Sequence, residues 1–475
     1  IQRLKNNLTT PALFFWFGLA LLALFGMVLI YQITPMGMGM VNDSVAYLRG
    51  ARNILDGEGY TRFVGDGTLD PITHFPPMFS FVMVSVGIFG MDVLRAARFI
   101  NILCYGLNVF LIGVIVYRMS GKSWFGVAGA VFFIVSEPLL RIHTFALSEP
   151  LYLSIMWTAL LLLAVQIERP RWYYVAAAGL LTSFAYLTRY VGVAMYATGL
   201  VVLLFMQPTW KRRVLDIGIF LAASLPGAAL WSLRNLRVSG NAANRPVYWH
   251  PLSADKWNEG LGNFWGWLLP ETGGLIEDRF WFWGIVIAVL LLALTVWVIV
   301  TAIRYLKGLV GRENRLLVMT LITAAHGLAY ISGLIIAMTF FDDKTIFEQR
   351  MLAPFSVSML IVIMALLIWL WKQPKIAAKS AVIVIGALLL VSCLEDTTDT
   401  IRELNNTGQG YASGRWRNSE SIAAVQDIPD DMIIFSNKIT AMDILADRPA
   451  FLIPWRYEPE GMPDPTYENG IADYQ

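Results

Sequence analysis

A chain of 475 residues that is 57% hydrophobic and 15% charged cannot clothe itself in a water-compatible surface, because an ordinary soluble domain carries about 25% charged residues. Its formal charge of +2 is too small, and its Lys and Arg too scattered between apolar blocks, for a nucleic-acid partner. Those blocks run to about twenty residues, which at about 1.5 Å per residue crosses a hydrocarbon core about 30 Å thick. The composition therefore calls for an all-α polytopic protein whose solvent is the lipid bilayer.

In chain order, spans are predicted at 11–33, 96–117, 123–140, 149–167, 172–188, 190–206, 214–233, 281–303, 316–340, 351–371 and 376–394, about eleven in all. The first block is too long for a secretory signal and lacks a cleavage site, so it reads as a retained anchor. Pro76 to Gly90 is also apolar, but about a dozen residues are too few to span and suit an interfacial or re-entrant helix. With that segment left out, Arg3/Lys5, Arg118/Lys122, Arg169/Arg171, Lys211–Arg213, Arg304/Lys307/Arg312/Arg315 and Lys372/Lys375/Lys379 all fall on one side, which the positive-inside bias makes cytoplasmic. Counting it as a twelfth span would put every later cluster on the side opposite Arg3 and Lys5. Cys104 and Cys393 lie within apolar blocks and read as packed hydrophobes.

This threading gives a cytoplasmic N-terminus in a plasma (inner) membrane. It divides the chain into a transmembrane unit, 1–394, and an exterior C-terminal α/β segment, 395–475, with further exterior loops at 34–95 and 234–280. The tail is expected to hold a helix at Ser419–Asp427, a turn at Pro429-Asp430-Asp431, a strand at Met432–Asn437, a short helix, and a second strand near Phe451–Ile453.

Candidate chemistry gathers on the exterior side. Asp43 opens an amphipathic stretch directly after the first span, where Asp43, Tyr47 and Ala51 share one helical face and Arg49 and Arg52 another. A carboxylate there can act as a general base or ligate a cation, or simply N-cap the helix. Glu149 sits one residue before Pro150 at the start of a span, which suits the helix dipole but also makes it a functional candidate. His74, in Thr73-His74-Phe75-Pro76-Pro77, stands at the entry to the interfacial segment. Arg189, Arg245 and Arg350 reach the same boundary, where guanidinium groups suit an anionic phosphate or snorkel to head groups. The aromatic runs Phe264-Trp265-Gly266-Trp267 and Phe280-Trp281-Phe282-Trp283 read as an interfacial belt, with stacking on a sugar or a polyprenyl tail as the other reading.

Asp43 with Tyr47 and Arg52 behind it, His74 before Pro76-Pro77, and Ser148-Glu149-Pro150 at a helix start resemble the GT-C membrane glycosyltransferases, in particular the bacterial relatives of protein O-mannosyltransferases and aminoarabinose transferases. The resemblance implies an inverting transfer from a polyprenyl-phosphate-linked sugar to a lipid, protein or glycan acceptor, with Asp43 as base and Glu149 as the second acidic residue. Tyr47, Arg52, His74, Arg189, Tyr190, Arg245 and Arg350 would line the substrate, and Asp43, Glu149 and His74 could hold a divalent cation, Mg or Mn. This chain departs from the family at His74, where relatives often carry an acid. Two other classes compete: a non-catalytic membrane subunit, and a transporter of lipid-linked substrates. The transporter would show broken helices in two repeated halves, a pattern the sequence lacks.

Overall fold

The structure is a computed structural model that describes residues 10–65, 67–242, 247–268, 280–342, 345–429 and 431–453. Arg3, Lys5, Arg245 and Asp430 lie outside the described residues. In chain order the elements are α1 (Thr10–Ile33), α2 (Asn42–Leu55), β1 (Thr61–Phe63), β2 (Leu69–Pro71), α3 (Met78–Gly87), α4 (Val93–Ser120), α5 (Ser123–Ile134), α6 (Glu137–His143), α7 (Glu149–Glu168), α8 (Trp172–Thr188), a 3-10 turn at Tyr190–Gly192, α9 (Val193–Met206), α10 (Trp210–Ser239), α11 (Ala254–Leu268), α12 (Phe280–Leu306), α13 (Arg315–Phe340), α14 (Gln349–Trp371) and α15 (Ile376–Thr407). The tail adds α16 (Gly414–Arg417), α17 (Glu420–Gln426), β3 (Phe435–Ser436), α18 (Ile439–Ala441) running into a π turn at Met442–Ala446, and β4 (Phe451–Leu452).

Helix ends follow local chemistry. Asp92 caps α4 by accepting the Leu94 and Arg95 backbone N–H groups at 3.0 and 3.3 Å, and Gly121 closes it in the left-handed region at φ 72°. Thr209 and Gly240 bracket α10 in the same way. In lipid the backbone must be satisfied internally, so these long apolar segments have no alternative to the helix.

Among the described residues, eight helices are long and apolar enough to cross a membrane, or nine if the bent pair α5–α6 counts as one span. By that measure the expected eleven is not reached. Each of the eleven predicted segments is helical, but α8 has 17 residues and α9 has 14, about 26 and 21 Å at 1.5 Å per residue. Arg189 and the 3-10 turn divide them. The 123–140 segment bends by 63° between α5 and α6, where Ser136-Glu137-Pro138 interrupts the helix. Pro76–Gly90 yields the short helix α3, as its length required.

The core lies among α1, α4, α5, α7, α13 and α14, with Tyr105, Phe133, Trp157 and Tyr330 inaccessible. α12 and α15 stand at the periphery, mostly uncovered. α15 continues without a break to Thr407, past the expected boundary at 394/395. In the tail α17 begins at Glu420, and Phe435↔Phe451 and Ser436↔Leu452 form a two-residue parallel pair.

Candidate active site

The backbone leading into α2 sits between two other strands of chain. Gly39 donates to the Thr144 carbonyl at 2.8 Å and accepts from the Ala146 N–H at 2.8 Å, a parallel bridge centred on Phe145. On the other side, the Tyr411 N–H donates to the Met40 carbonyl at 2.9 Å. The segments that end in Asp43 and in Ser148-Glu149 are therefore tied to one another before either helix begins. Gly39 is required here, since a Cβ would lie 2.5 Å from Gln409 and 2.7 Å from the Phe145 ring.

Asp43 lies in the first turn of α2 rather than at its cap. The N-cap is Val41, whose backbone N–H donates to Ser44 Oγ at 3.1 Å. The Asp43 carboxylate is thereby released from capping and accepts Arg350 Nη1 at 2.7 Å, with 31% of the side chain exposed. Glu348 holds the other edge of that guanidinium through Arg350 Nε. Arg350 opens α14, and Pro354 lacks the N–H that would bond the Arg350 carbonyl.

A second pair stands behind the first. Glu149, 1% exposed at the first residue of α7, faces Arg189 Nη1 at 2.6 Å. Arg189 Nη2 donates to Met351 Sδ at 2.9 Å, and Nη1 reaches Ser148 Oγ at 3.5 Å. Ser148 Oγ also meets the Tyr47 hydroxyl at 3.1 Å, and Tyr330 donates to the Met351 carbonyl at 2.9 Å. Arg350 is within electrostatic reach of Glu149 as well as Asp43. Three carboxylates, Asp43, Glu149 and Glu348, and two guanidinium groups thus form one linked constellation at the ends of α2, α7, α8 and α14. Tyr47 is buried beside the acids, and burial pushes its phenol upward, so it stays a neutral hydrogen-bonding group.

The remaining sequence-predicted residues lie elsewhere in the network or outside it. Tyr190 ties two elements together: its hydroxyl donates to the Thr73 carbonyl at 2.6 Å and accepts from Trp231 Nε1 at 2.9 Å and Asn235 Nδ2 at 3.1 Å. Thr73 precedes His74, whose ring lies 5.0 Å from that of Phe75. Arg52 faces away from Asp43 toward the tail, 3.5 Å from Asp447. Among the described residues no three His, Cys, Asp or Glu side chains are grouped to hold an ion. The donor set expected for a cation also fits poorly, because Asp43 and Glu149 are each already engaged by a guanidinium.

Several participants were not singled out from the sequence. Ser148 lies inside the quoted Ser148-Glu149-Pro150 and Glu348 stands two residues before Arg350, so both could have been found by asking which neighbours orient the charged residue. Tyr330 and Met351, inside apolar spans, carry no local signal. Arg234, at the end of α10, donates to the Ile72 carbonyl at 2.6 Å and fixes the loop behind His74.

The architecture is that of a polytopic membrane protein, and the resemblance to GT-C glycosyltransferases read from the sequence is supported by the fold and by a family match over part of the chain. Residues 74–232, the stretch from His74 through Glu149 and Arg189, match the family described as dolichyl-phosphate-mannose-protein mannosyltransferase. The fold is similar to the archaeal oligosaccharyltransferase AglB from Archaeoglobus fulgidus, solved in complex with an inhibitory peptide and a dolichol-phosphate, at a TM-score of 0.54 and 13% identity over 91% of this chain and 64% of that one. This chain thus spans under two thirds of AglB. ArnT from Cupriavidus metallidurans, solved bound to undecaprenyl phosphate, aligns at a TM-score of 0.48 and 14% identity over 93% of this chain and 88% of that one. In the apo state it gives 0.48 and 16% over 92% and 85%. No curated protein sequence matches the chain.

Proposed function

We propose that this protein is an inverting glycosyltransferase that moves a sugar from a polyprenyl-phosphate donor to an acceptor hydroxyl at the exterior membrane face. The observation that carries the reading is the Asp43–Arg350 pair at 2.7 Å, a base and a phosphate-binding cation joined at the mouth of the bundle. In the resting state each neutralises the other. A donor phosphate competes for Arg350, with bidentate geometry in its favour, and Asp43 is then free to accept the acceptor proton. The acceptor oxygen bonds to the anomeric carbon, the carbon–oxygen bond to phosphate breaks, and polyprenyl phosphate leaves. A phosphate is a weak base and needs no proton, so one carboxylate suffices. Glu149 holds Arg189 beside the Asp43–Arg350 pair, where it adds positive charge for the leaving group.

Placing Asp43, Glu149 and the tail outside rests on the positive-inside bias. α8 and α9 are consecutive, so whether both cross or neither does leaves the sidedness of everything after them unchanged. The acceptor, whether lipid, protein or glycan, is a hydroxyl that reaches Asp43 from the aqueous side.

The test is transfer of radiolabelled sugar from a panel of polyprenyl-phosphate donors to membrane extracts. Asp43→Asn is expected to lose about 10²-fold or more, the scale of general-base catalysis, while remaining folded. Wild-type-level transfer in the variant rejects Asp43 as base. No transfer by the wild type with any donor favours a non-catalytic subunit or a transporter.

A further inference from the structure

The tail beyond α15 reaches back to the helix that carries Asp43 and holds it at its first residue and again at mid-length. At the front, the Tyr411 hydroxyl and Thr440 Oγ1 donate to the same acceptor, Asn42 Oδ1, at 2.7 and 2.9 Å. Asn42 is the residue immediately before Asp43. The two hydroxyls are 2.9 Å apart, so they form a closed triangle rather than two independent contacts. Below it, Gly410 lies against Met40 at φ 55°, and a Cβ there would stand 2.1 Å from the Met40 carbonyl oxygen. Two turns along α2, Arg49 is buried under the tail. Its Nε donates to Asp443 Oδ1 at 2.6 Å, and Nη2 donates to the Asp443 carbonyl at 3.0 Å and to Asp447 Oδ1 at 2.6 Å.

A tail that only shielded the bundle would not need to match α2 in this way. Asn42 is one residue, about 100° of helix, from the site's acid, while Arg49 faces the opposite way from Tyr47, so holding Asn42 and Arg49 fixes both the translation of α2 and its rotation about its axis. Rotation is the variable that decides whether Asp43 points at Arg350. Charge attraction also outweighs burial at Arg49, raising its pKa above the ordinary value, so this end of the clamp stays ionised throughout the working range.

We infer that Tyr411 and Thr440 are positioning residues for Asp43, and that the tail sets the angle of its helix through Asn42 at its start and Arg49 two turns further on. This rests on the assignment of Asp43 as the base. Misplacement of a reacting group by about 1 Å can lower a rate by about 10²-fold, so loss of both hydroxyls should be read in kcat rather than in binding.

The experiment uses the full chain carrying Tyr411→Phe and Thr440→Val together, with Thr440→Ser as the conservative control. Amide hydrogen exchange of residues 42–55 is followed in detergent micelles, independently of any donor, alongside transfer from undecaprenyl-phosphate-linked sugars. The double variant is expected to exchange faster over the first turn of α2, to keep the wild-type unfolding midpoint, and to lose at least about tenfold in kcat with donor KM within about twofold. Thr440→Ser should retain wild-type exchange and rate. Unchanged exchange and unchanged kcat against an active wild type overturns the inference while leaving Asp43 as base. A lowered unfolding midpoint that Thr440→Ser does not rescue also overturns it, as a structural role. If Asp43→Asn itself transfers at the wild-type rate, the assignment of the base has failed, and exchange alone then decides whether the tail orders α2.

Discussion

Replacing Arg189 with Met would leave the Glu149 carboxylate, 1% exposed, without the guanidinium that faces it at 2.6 Å. Removing one partner of a buried ion pair costs about 3–5 kcal/mol, because the remaining charge stays desolvated. Two features place this case within that range. Neither Glu149 oxygen has another hydrogen-bond partner, which argues for the upper end. Arg350 lies within electrostatic reach of Glu149 and offsets part of the loss. The expected cost is therefore about 3 kcal/mol, which at about 1.36 kcal/mol per factor of ten lowers the folded-to-unfolded ratio about 150-fold. Titration of the purified protein in mixed micelles with SDS, followed by circular dichroism, measures it. Adding Glu149→Gln to Arg189→Met should recover at least half of the loss, since no unpaired charge is then buried. A single variant losing less than about 1 kcal/mol, or a double variant as unstable as the single, would refute the reasoning.

Gly410→Ala forces a side chain into the left-handed region against the Met40 carbonyl; the backbone strain alone is about 1–2 kcal/mol, and limited proteolysis should release the tail earlier than in wild type. Tyr190→Phe leaves Trp231 Nε1 without its acceptor, a loss of about 1–3 kcal/mol that the same SDS titration would show; an unchanged midpoint would mean Tyr190 is not the tie between the Thr73 loop and α10. Because Asp43 and Glu149 are each engaged by a guanidinium, transfer measured in EDTA should stay within about twofold of the untreated rate. Loss restored by Mg or Mn would show that a cation takes part.

Much of the fold was written in the apolar blocks, because a run of about twenty apolar residues has one soluble alternative, aggregation, and one membrane solution, the helix. Block length alone does not say how a helix sits, so α8 and α9 were read as full spans when each is short. At the site, period 3.6 separated the Asp43, Tyr47 and Ala51 face of α2 from the Arg49 and Arg52 face. What opposes each face was not legible, since Arg350 lies 307 residues from Asp43 and Asp443 lies 394 from Arg49. That is why Arg52 was grouped with the substrate residues although the structure turns it to the tail. Tyr330 and Met351 illustrate the other blind spot: a polar atom in an apolar span has meaning only through its partner.

The parallel bridge between Gly39 and Phe145, closed on its far side by Tyr411, has a consequence for the order of synthesis. The first partner of the Asp43 strand emerges about a hundred residues after it, Arg350 about three hundred after, and the hydroxyls that grip Asn42 later still. During insertion into the membrane, α2 waits at the surface with its acid uncommitted. Only when the chain has threaded its last span can the tail fold back and turn a loose helix into a fixed one, so a ribosome-bound chain lacks the arrangement that the finished protein holds.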